Sequence, residues 1–335
     1  MKFLVTGANG FIGSNLVDKL IENNHEVRAL ILEGTNESNL DESKDKIEKV
    51  YGDITDYDKI RPYLEGIDVI IHLAARVDDW GPEKLFMKVS FEGAKNVLDA
   101  AIDAGVKRFI YISSLTVHGF EGFQKGDENA PYLPYNPYAK AKVAMEKSIN
   151  NDYKEKNIET VIIRPGYLIF GPRDRNLSIK TYDRITRKKS FPCVKGGKPI
   201  TSYSYVENLV DGLILVSTHP KAAGETYIIN DGHLLTFKEW MEYVFKSCDI
   251  KLKMPSIPYK IAIGGVALLE GIYKLFRRKK GPILTRFRVK SAAADLGFVN
   301  HKIVNDLGYK PKIGIEEACR RTYEWFMKEK ERSQN

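Results

Sequence analysis

The feature that most restricts this chain is TGANGFIG, residues 6–13, where Gly7, Gly10 and Gly13 recur at every third position between a short apolar run and a helical pattern. A glycine turn leading from strand to helix lets backbone approach a phosphate closely, and the helix N-terminus adds unpaired N–H groups and the positive end of its dipole. The spacing G-x-x-G-x-x-G differs by one residue from the commoner G-x-G-x-x-G, but a strand before it and a helix after it are the context that a dinucleotide site needs. Phe11 and Ile12 fall in the first helical turn and join the three glycines in the expected cradle.

The rest of the first half repeats this alternation. Val- and Ile-rich runs at 2–6, 27–32, 46–51, 69–73, 108–113 and 160–164 alternate with helical patterns at 12–22, 85–104 and 138–155. That order predicts an α/β fold, a Rossmann-type doubly wound parallel sheet over residues 1–165. Residues 166–330 read as a smaller, mostly helical substrate lobe, with helices at 206–217 and 237–247, a short strand at 227–229, and some segments returning to the first domain. A sheet of this type binds ligands beyond the carboxyl ends of its strands. With 335 residues and 43% hydrophobic content, the chain suffices for a large core.

Composition excludes several classes. Cys193, Cys248 and Cys319 are scattered and the histidines show no ligand spacing, so neither a disulfide framework nor a metal site is expected, and a reducing cytoplasm is the natural compartment. The apolar run Phe3–Val5 leads straight into the glycine turn and reads as a strand rather than a signal peptide. A net charge of +8 mainly reports solubility, and no nucleic-acid recognition motif accompanies it.

The end of the second strand discriminates between dinucleotides, because an acidic side chain there holds a ribose 2′-OH and repels a 2′-phosphate. VRALILEGTNES offers Glu33 and no basic residue beyond Arg28, which favours NAD without excluding NADP. Asp53, in YGDITD, is placed for an adenine edge together with Ile54, or as the N-cap of a helix over 54–64.

YNPYAKAK supplies reactive groups. Asn136 and Pro137 suit an N-cap and a first helical residue, which puts Tyr138 and Lys142 four apart on one helix face. A phenol is a poor acid–base group at neutral pH, and a neighbouring ammonium lowers its pKa toward the useful range. Of the 18 tyrosines, Tyr138 alone has a lysine four residues later. In YISSLTVHG, Ser113 and Ser114 end the fifth strand, where a hydroxyl either orients a substrate oxygen toward Tyr138 or caps the strand-to-loop junction.

TGANGFIG, GDITD, HLAA, YISS, YAKAK and RPG, in that order, resemble the extended short-chain dehydrogenases/reductases over nearly the whole chain. The resemblance implies a bound nicotinamide cofactor, a catalytic set at Ser114, Tyr138 and Lys142, a cofactor lining of Leu73, Ala74 and Ala75, and Pro165 and Gly166 beside the nicotinamide. It also implies a homodimer through the helices at 85–104 and 138–155. Two positions depart from the family pattern: in VSFEGA, Ser90 replaces an asparagine and Ala94 a threonine.

Within that superfamily, nucleotide-sugar epimerases and dehydratases carry an arginine where TSYSYVEN has Thr201, and a hydroxyl cannot replace a bidentate cation against pyrophosphate. Tyr205, Val206 and Asn208, together with the Asp-Trp-Gly around Trp80, resemble the 3β-hydroxysteroid dehydrogenase-like branch. The implied substrate is hydrophobic, sterol-like or a β-hydroxy acyl compound, lined by Ser113, Trp80, Tyr167 and Tyr205. Nucleotide-sugar epimerisation and a non-catalytic NAD(P)-sensing regulator are the alternatives. Residues 257–280 contain an apolar run, 261–269, too short to span a bilayer and followed by Arg277, Arg278, Lys279 and Lys280. They read either as peripheral contact with an anionic membrane or as a core helix with a basic end.

Overall fold

The computed structural model describes residues 1–276, 278 and 280–332. Its strands, in chain order, are β1 (Lys2–Thr6), β2 (Glu26–Ile31), β3 (Glu48–Tyr51), β4 (Val69–His72), β5 (Arg108–Ile112), β6 (Phe123–Gly126), β7 (Glu159–Pro165), β8 (Leu168–Phe170), β9 (Cys193–Val194), β10 (Ile200–Tyr205), β11 (Thr226–Ile229), β12 (Leu234–Thr236), β13 (Ser256–Ile257) and β14 (Leu296–Phe298).

Seven strands form one parallel sheet in the order β11-β7-β5-β4-β1-β2-β3. The strands are apolar on both faces because helices cover both. Phe3, Val5, Val69, Ile71 and Ile110 face the Phe11–Glu22 and Val206–Thr218 helices. Leu4, Ile70, Phe109 and Tyr111 face the Gly93–Asp103 and Pro137–Asp152 helices. The chain order reverses between β1 and β4, which opens a crevice at their carboxyl ends. The glycine turn and residues 73–75 both lie there. β11 and the Val206–Thr218 helix come from residues beyond 165 yet pack into this first lobe.

The second lobe is mostly helical, as expected, and adds short strands that the sequence did not announce. β12-β10-β14-β6 form a sheet, with β8 also paired to β10, and β9 and β13 form a separate parallel pair. These strands are two to six residues long, and β10 reads ITSYSY, a polar sequence with no apolar signal. Its polarity is absorbed internally: the buried Ser204 Oγ donates to Ile229 O at 2.7 Å and accepts from Gly166 N at 2.8 Å.

Several boundaries differ from expectation. The third strand starts at Glu48 rather than at 46. The helix at 54–64 shrinks to Tyr57–Ile60 plus a 3₁₀ turn, and Asp56, not Asp53, caps it, accepting from Lys59 N. The helix over 85–104 is interrupted by a π-helical stretch at Met87–Glu92, after which Gly93 packs against Ile54. The Pro137–Asp152 helix is capped by Asn136, whose Oδ1 accepts from Ala139 N at 2.9 Å.

Candidate active site

The glycine turn is shaped by close approach. Gly7 has φ +66°, and a Cβ there would lie 3.1 Å from Ala74 N. A Cβ on Gly13 would lie 2.3 Å from Gly7 O, so no side chain fits. Gly10 starts the helix without a side-chain cap, which leaves the first-turn amides, including those of Phe11 and Ile12, to an outside acceptor. Thr6 holds the facing wall: its Oγ1 accepts from Leu73 N (3.1 Å) and Ala74 N (3.0 Å) and shares a hydrogen bond with His72 Nδ1 at 3.0 Å. These residues fit the phosphates of a dinucleotide. Gly166 is equally constrained, since its Cβ would lie 2.6 Å from the Tyr203 backbone of β10.

Glu33 is exposed at the end of β2, 3.7 Å from Lys59 Nζ. Asp53 is exposed, and its Oδ1 accepts from Thr55 N at 2.9 Å, an Asx turn that leaves its other oxygen outward.

Ser114, Tyr138 and Lys142 converge beyond β5. Ser114 acts on the Tyr138 phenol in the direction of its ionised form, and its Oγ accepts from Thr116 N at 3.2 Å and from Thr116 Oγ1 at 3.0 Å, so it caps its junction as well. Lys142 Nζ donates to Ile112 O at 2.6 Å and sits 4.6 Å from the Tyr111 ring centroid and 5.7 Å from that of Tyr138. The expected lowering of the Tyr138 pKa is countered by burial. Burial pushes the phenol up to about 12, against an opposing Ser114 hydrogen bond. Burial also brings Lys142 down to about 7, against an opposing Glu146 charge. The ammonium that was to tune Tyr138 is itself desolvated.

Two expected lining residues face elsewhere. Strand alternation turns Ser113 away from Ser114, and its buried hydroxyl donates to Glu146 Oε1. Tyr205 is wholly buried against Phe170, and its hydroxyl donates to Glu207. Tyr167 is half-buried beside Leu115, Ile228 and Phe298. Trp80 does line a cavity of about 710 Å³, with the aromatic Tyr135, Tyr273 and Phe287, the charged Asp79, Glu270, Lys274, Arg278 and Arg286, and Pro137, the residue before Tyr138. A flap of the Tyr259–Leu275 and Arg286–Ser291 helices roofs it; Arg277 and Lys279 lie outside the described residues. Ser90, in the asparagine's place, accepts from Arg76 N at 3.0 Å and so fixes the start of the loop carrying Trp80.

Glu146 was not singled out in the sequence, although it continues the four-residue spacing of Tyr138 and Lys142, and Arg164 and Asp79 entered only as members of RPG and Asp-Trp-Gly, without a role of their own. Among the described residues no cluster of His, Cys, Asp or Glu could hold a metal ion.

A crevice at the β1/β4 reversal, a glycine turn beneath it and Ser, Tyr and Lys side chains at its rim together define an enzyme of the extended short-chain dehydrogenase/reductase class. Residues 4–259 match the model of the 3-beta hydroxysteroid dehydrogenase/isomerase family, and the chain belongs to that family. It is 32% identical to a 3-beta-hydroxysteroid dehydrogenase of Mycolicibacterium neoaurum, covering 95% of this chain and 89% of the other. It is 29% identical to a 2-alkyl-3-oxoalkanoate reductase of Stenotrophomonas maltophilia, covering 96% and 98%. Among solved structures, the dTDP-glucose 4,6-dehydratase DesIV of Streptomyces venezuelae, with NAD bound, shares the fold at a TM-score of 0.79 and 22% identity, covering 99% and 98%.

Proposed function

We propose that the chain interconverts a secondary alcohol and a ketone on a hydrophobic substrate, sterol-like or β-hydroxy acyl, with NAD as cofactor and NADP as the alternative. The observation that carries this reading is the meeting of Tyr138 with Ser114 and Lys142 at the carboxyl end of β5, one residue along the chain from a cavity that Trp80, Tyr135, Tyr273 and Phe287 line together with Asp79, Glu270, Lys274, Arg278 and Arg286. The bound dinucleotide supplies or accepts the hydride. Tyr138 exchanges the hydroxyl proton with the substrate oxygen, Ser114 holds that oxygen by a hydrogen bond, and Lys142 stabilises the phenolate and holds the ribose. Glu33 takes the adenine ribose, Asp53 and Ile54 the adenine, Leu73–Ala75 the cofactor wall, and Pro165 and Gly166 the nicotinamide. The names of the relatives, a steroid dehydrogenase and an oxoalkanoate reductase, support both substrate forms.

Nucleotide-sugar epimerisation is disfavoured by the buried Thr201, whose hydroxyl has no partner among the described residues and brings no charge. A purely sensing role has no use for an acid–base tyrosine. The reading includes a homodimer through the helical faces at 85–104 and 138–155, and peripheral membrane contact through residues 257–280. On the Tyr259–Leu275 helix and just beyond it, Ile261, Leu268, Ile272, Leu275 and Phe276 are exposed, with Ile283 and Leu284 further on. Lys260, Lys274, Arg278 and Lys280 flank them, as an anionic bilayer surface requires.

The test is reduced-cofactor absorbance with NAD or NADP against hydrophobic secondary alcohols and nucleotide sugars, with Tyr138→Phe alongside. Net reduction by a hydrophobic alcohol, lost in the variant, is expected. Conversion of a nucleotide sugar without net reduction would overturn it.

A further inference from the structure

Tyr138, Lys142 and Glu146 succeed one another at four-residue intervals on one face of the Pro137–Asp152 helix, and the proposed chemistry uses only the first two. Glu146 is wholly buried, where a carboxylate is costly unless fully paired. Arg164 pairs with it through Nη2 at 2.5 Å and Nε at 3.1 and 3.2 Å, and Tyr132 Oη donates at 2.7 Å. Ser113 Oγ completes the set.

These partners come from the segments that build the site. Ser113 adjoins Ser114 at the end of β5, and Arg164 immediately precedes Pro165 and Gly166 at the end of β7. Lys142, one turn before Glu146, is bonded to the carbonyl of Ile112, the residue preceding Ser113. One carboxylate therefore ties the strand that presents Ser114, the helix that presents Tyr138 and Lys142, and the strand that leads to Gly166. We infer that Glu146 is a positioning residue: it holds Ser114 and Lys142 in register with Tyr138 and supplies the negative charge facing Lys142. The inference rests on the acid–base reading of Tyr138 and Lys142.

The groups around Lys142 make the charge specific. Tyr138 and Glu146 face it from its own helix, Tyr111 from β5 and His72 from β4, while Arg164 of β7 is engaged by Glu146. Burial, aided by Lys142, holds His72 neutral at about 3, and burial raises Tyr111, so Glu146, paired with Arg164, is the one carboxylate among them. Removing its charge lets desolvation carry Lys142 further down, and the ammonium is lost at lower pH.

The experiment uses the full chain with carbon-labelled lysine. The Lys142 side-chain NMR titration of Glu146→Gln is compared with that of the parent and of Glu146→Asp, and pH profiles of kcat and KM follow on any alcohol the parent oxidises. Lys142 is expected to lose its proton about one pH unit lower in Glu146→Gln, with kcat falling on the alkaline side over the same interval and KM nearly constant. Glu146→Asp returns both toward the parent. A folded Glu146→Gln with the parent titration overturns the inference. If that variant does not fold, because Arg164 is left unpaired, Ser113→Ala decides, since it keeps the ion pair and releases β5. A kcat about tenfold down at unchanged KM supports the inference, and parent kcat overturns it. Tyr138→Phe separates the two levels: full turnover there overturns the acid–base reading, whereas an inactive Tyr138→Phe beside a parent-like Glu146→Gln overturns the inference alone.

Discussion

Asp79 and Arg288, 209 residues apart, form a two-point ion pair: Nε lies 2.8 Å from Oδ2 and Nη2 3.1 Å from Oδ1, and Thr285 Oγ1 donates to the same carboxylate at 2.5 Å. The pair joins the loop after β4 to the flap that roofs the Trp80 cavity. Next to it, Trp80 Nε1 donates to Arg278 O at 3.3 Å.

The Asp79 side chain is 8% exposed and that of Arg288 46%, so solvent screens the pair from the arginine side and Thr285 shares the contact with the carboxylate. Asp79→Ala is expected to raise KM for the alcohol by about tenfold and to leave cofactor affinity within about twofold. Limited proteolysis should become faster between the two flap helices. Steady-state kinetics with cofactor titration checks this, and an unchanged KM would detach the flap from substrate binding.

Gly13→Ala should cost both cofactor affinity and stability, because its Cβ would meet backbone at 2.3 Å from Gly7 O and 2.9 Å from Ala8 Cα. Gly264→Ala, in a helix with nothing within 4 Å of the added methyl, is the control and should be stabilised by about 0.5–1 kcal/mol. Fluorescence titration of the reduced cofactor and thermal melts read the two effects separately.

Acid should unfold the protein through two buried imidazoles. His72 and His118 are lowered by burial to about 3 and about 4. Unfolded histidine binds its proton near pH 6.5, so the unfolded state takes up more protons between that value and the folded ones. Stability is therefore full above about pH 6.5 and falls as pH drops toward about 4 for His118 and about 3 for His72, by roughly 2 kcal/mol per histidine at pH 5. Urea midpoints at pH 7 and pH 5 test the sign, and His118→Gln should flatten part of the slope if it folds.

Vesicles of anionic phospholipid should bind the chain, and added salt should weaken that binding by screening the basic flanks. Leu268→Glu with Leu275→Glu places two charges on side chains that are 70% and 78% exposed, so folding should be unaffected and sedimentation with the vesicles lost. Unchanged sedimentation would remove residues 257–280 from the membrane reading. A change in oligomeric state instead would make this face an interface between copies of the chain.

The parallel sheet was legible because its signals are local. β1 leads into three glycines, β4 and β5 are apolar except for His72 and Arg108 at their ends, and Asn136-Pro137 announces the helix that carries Tyr138 and Lys142. The second sheet was not legible, since β10 is polar and its serines are satisfied by backbone carbonyls from elsewhere in the chain. Ser113 and Ser114 are neighbours in sequence, but strand alternation sends the Ser113 hydroxyl to Glu146 and leaves that of Ser114 on the other side, with Thr116 and near Tyr138.

The sequence by itself determined the glycine turn, the four-residue spacing of Tyr138 and Lys142 and the alternation of strand and helix, all of which depend on steric and periodic rules acting within a few residues. Tertiary structure decided the rest. Burial, set by the whole fold, countered the expected shift of Tyr138 and brought Lys142 down to about 7. Partners such as Glu146 with Arg164 and Asp79 with Arg288 meet only when distant segments pack, and local periodicity carries no record of which buried charge will find which counter-charge.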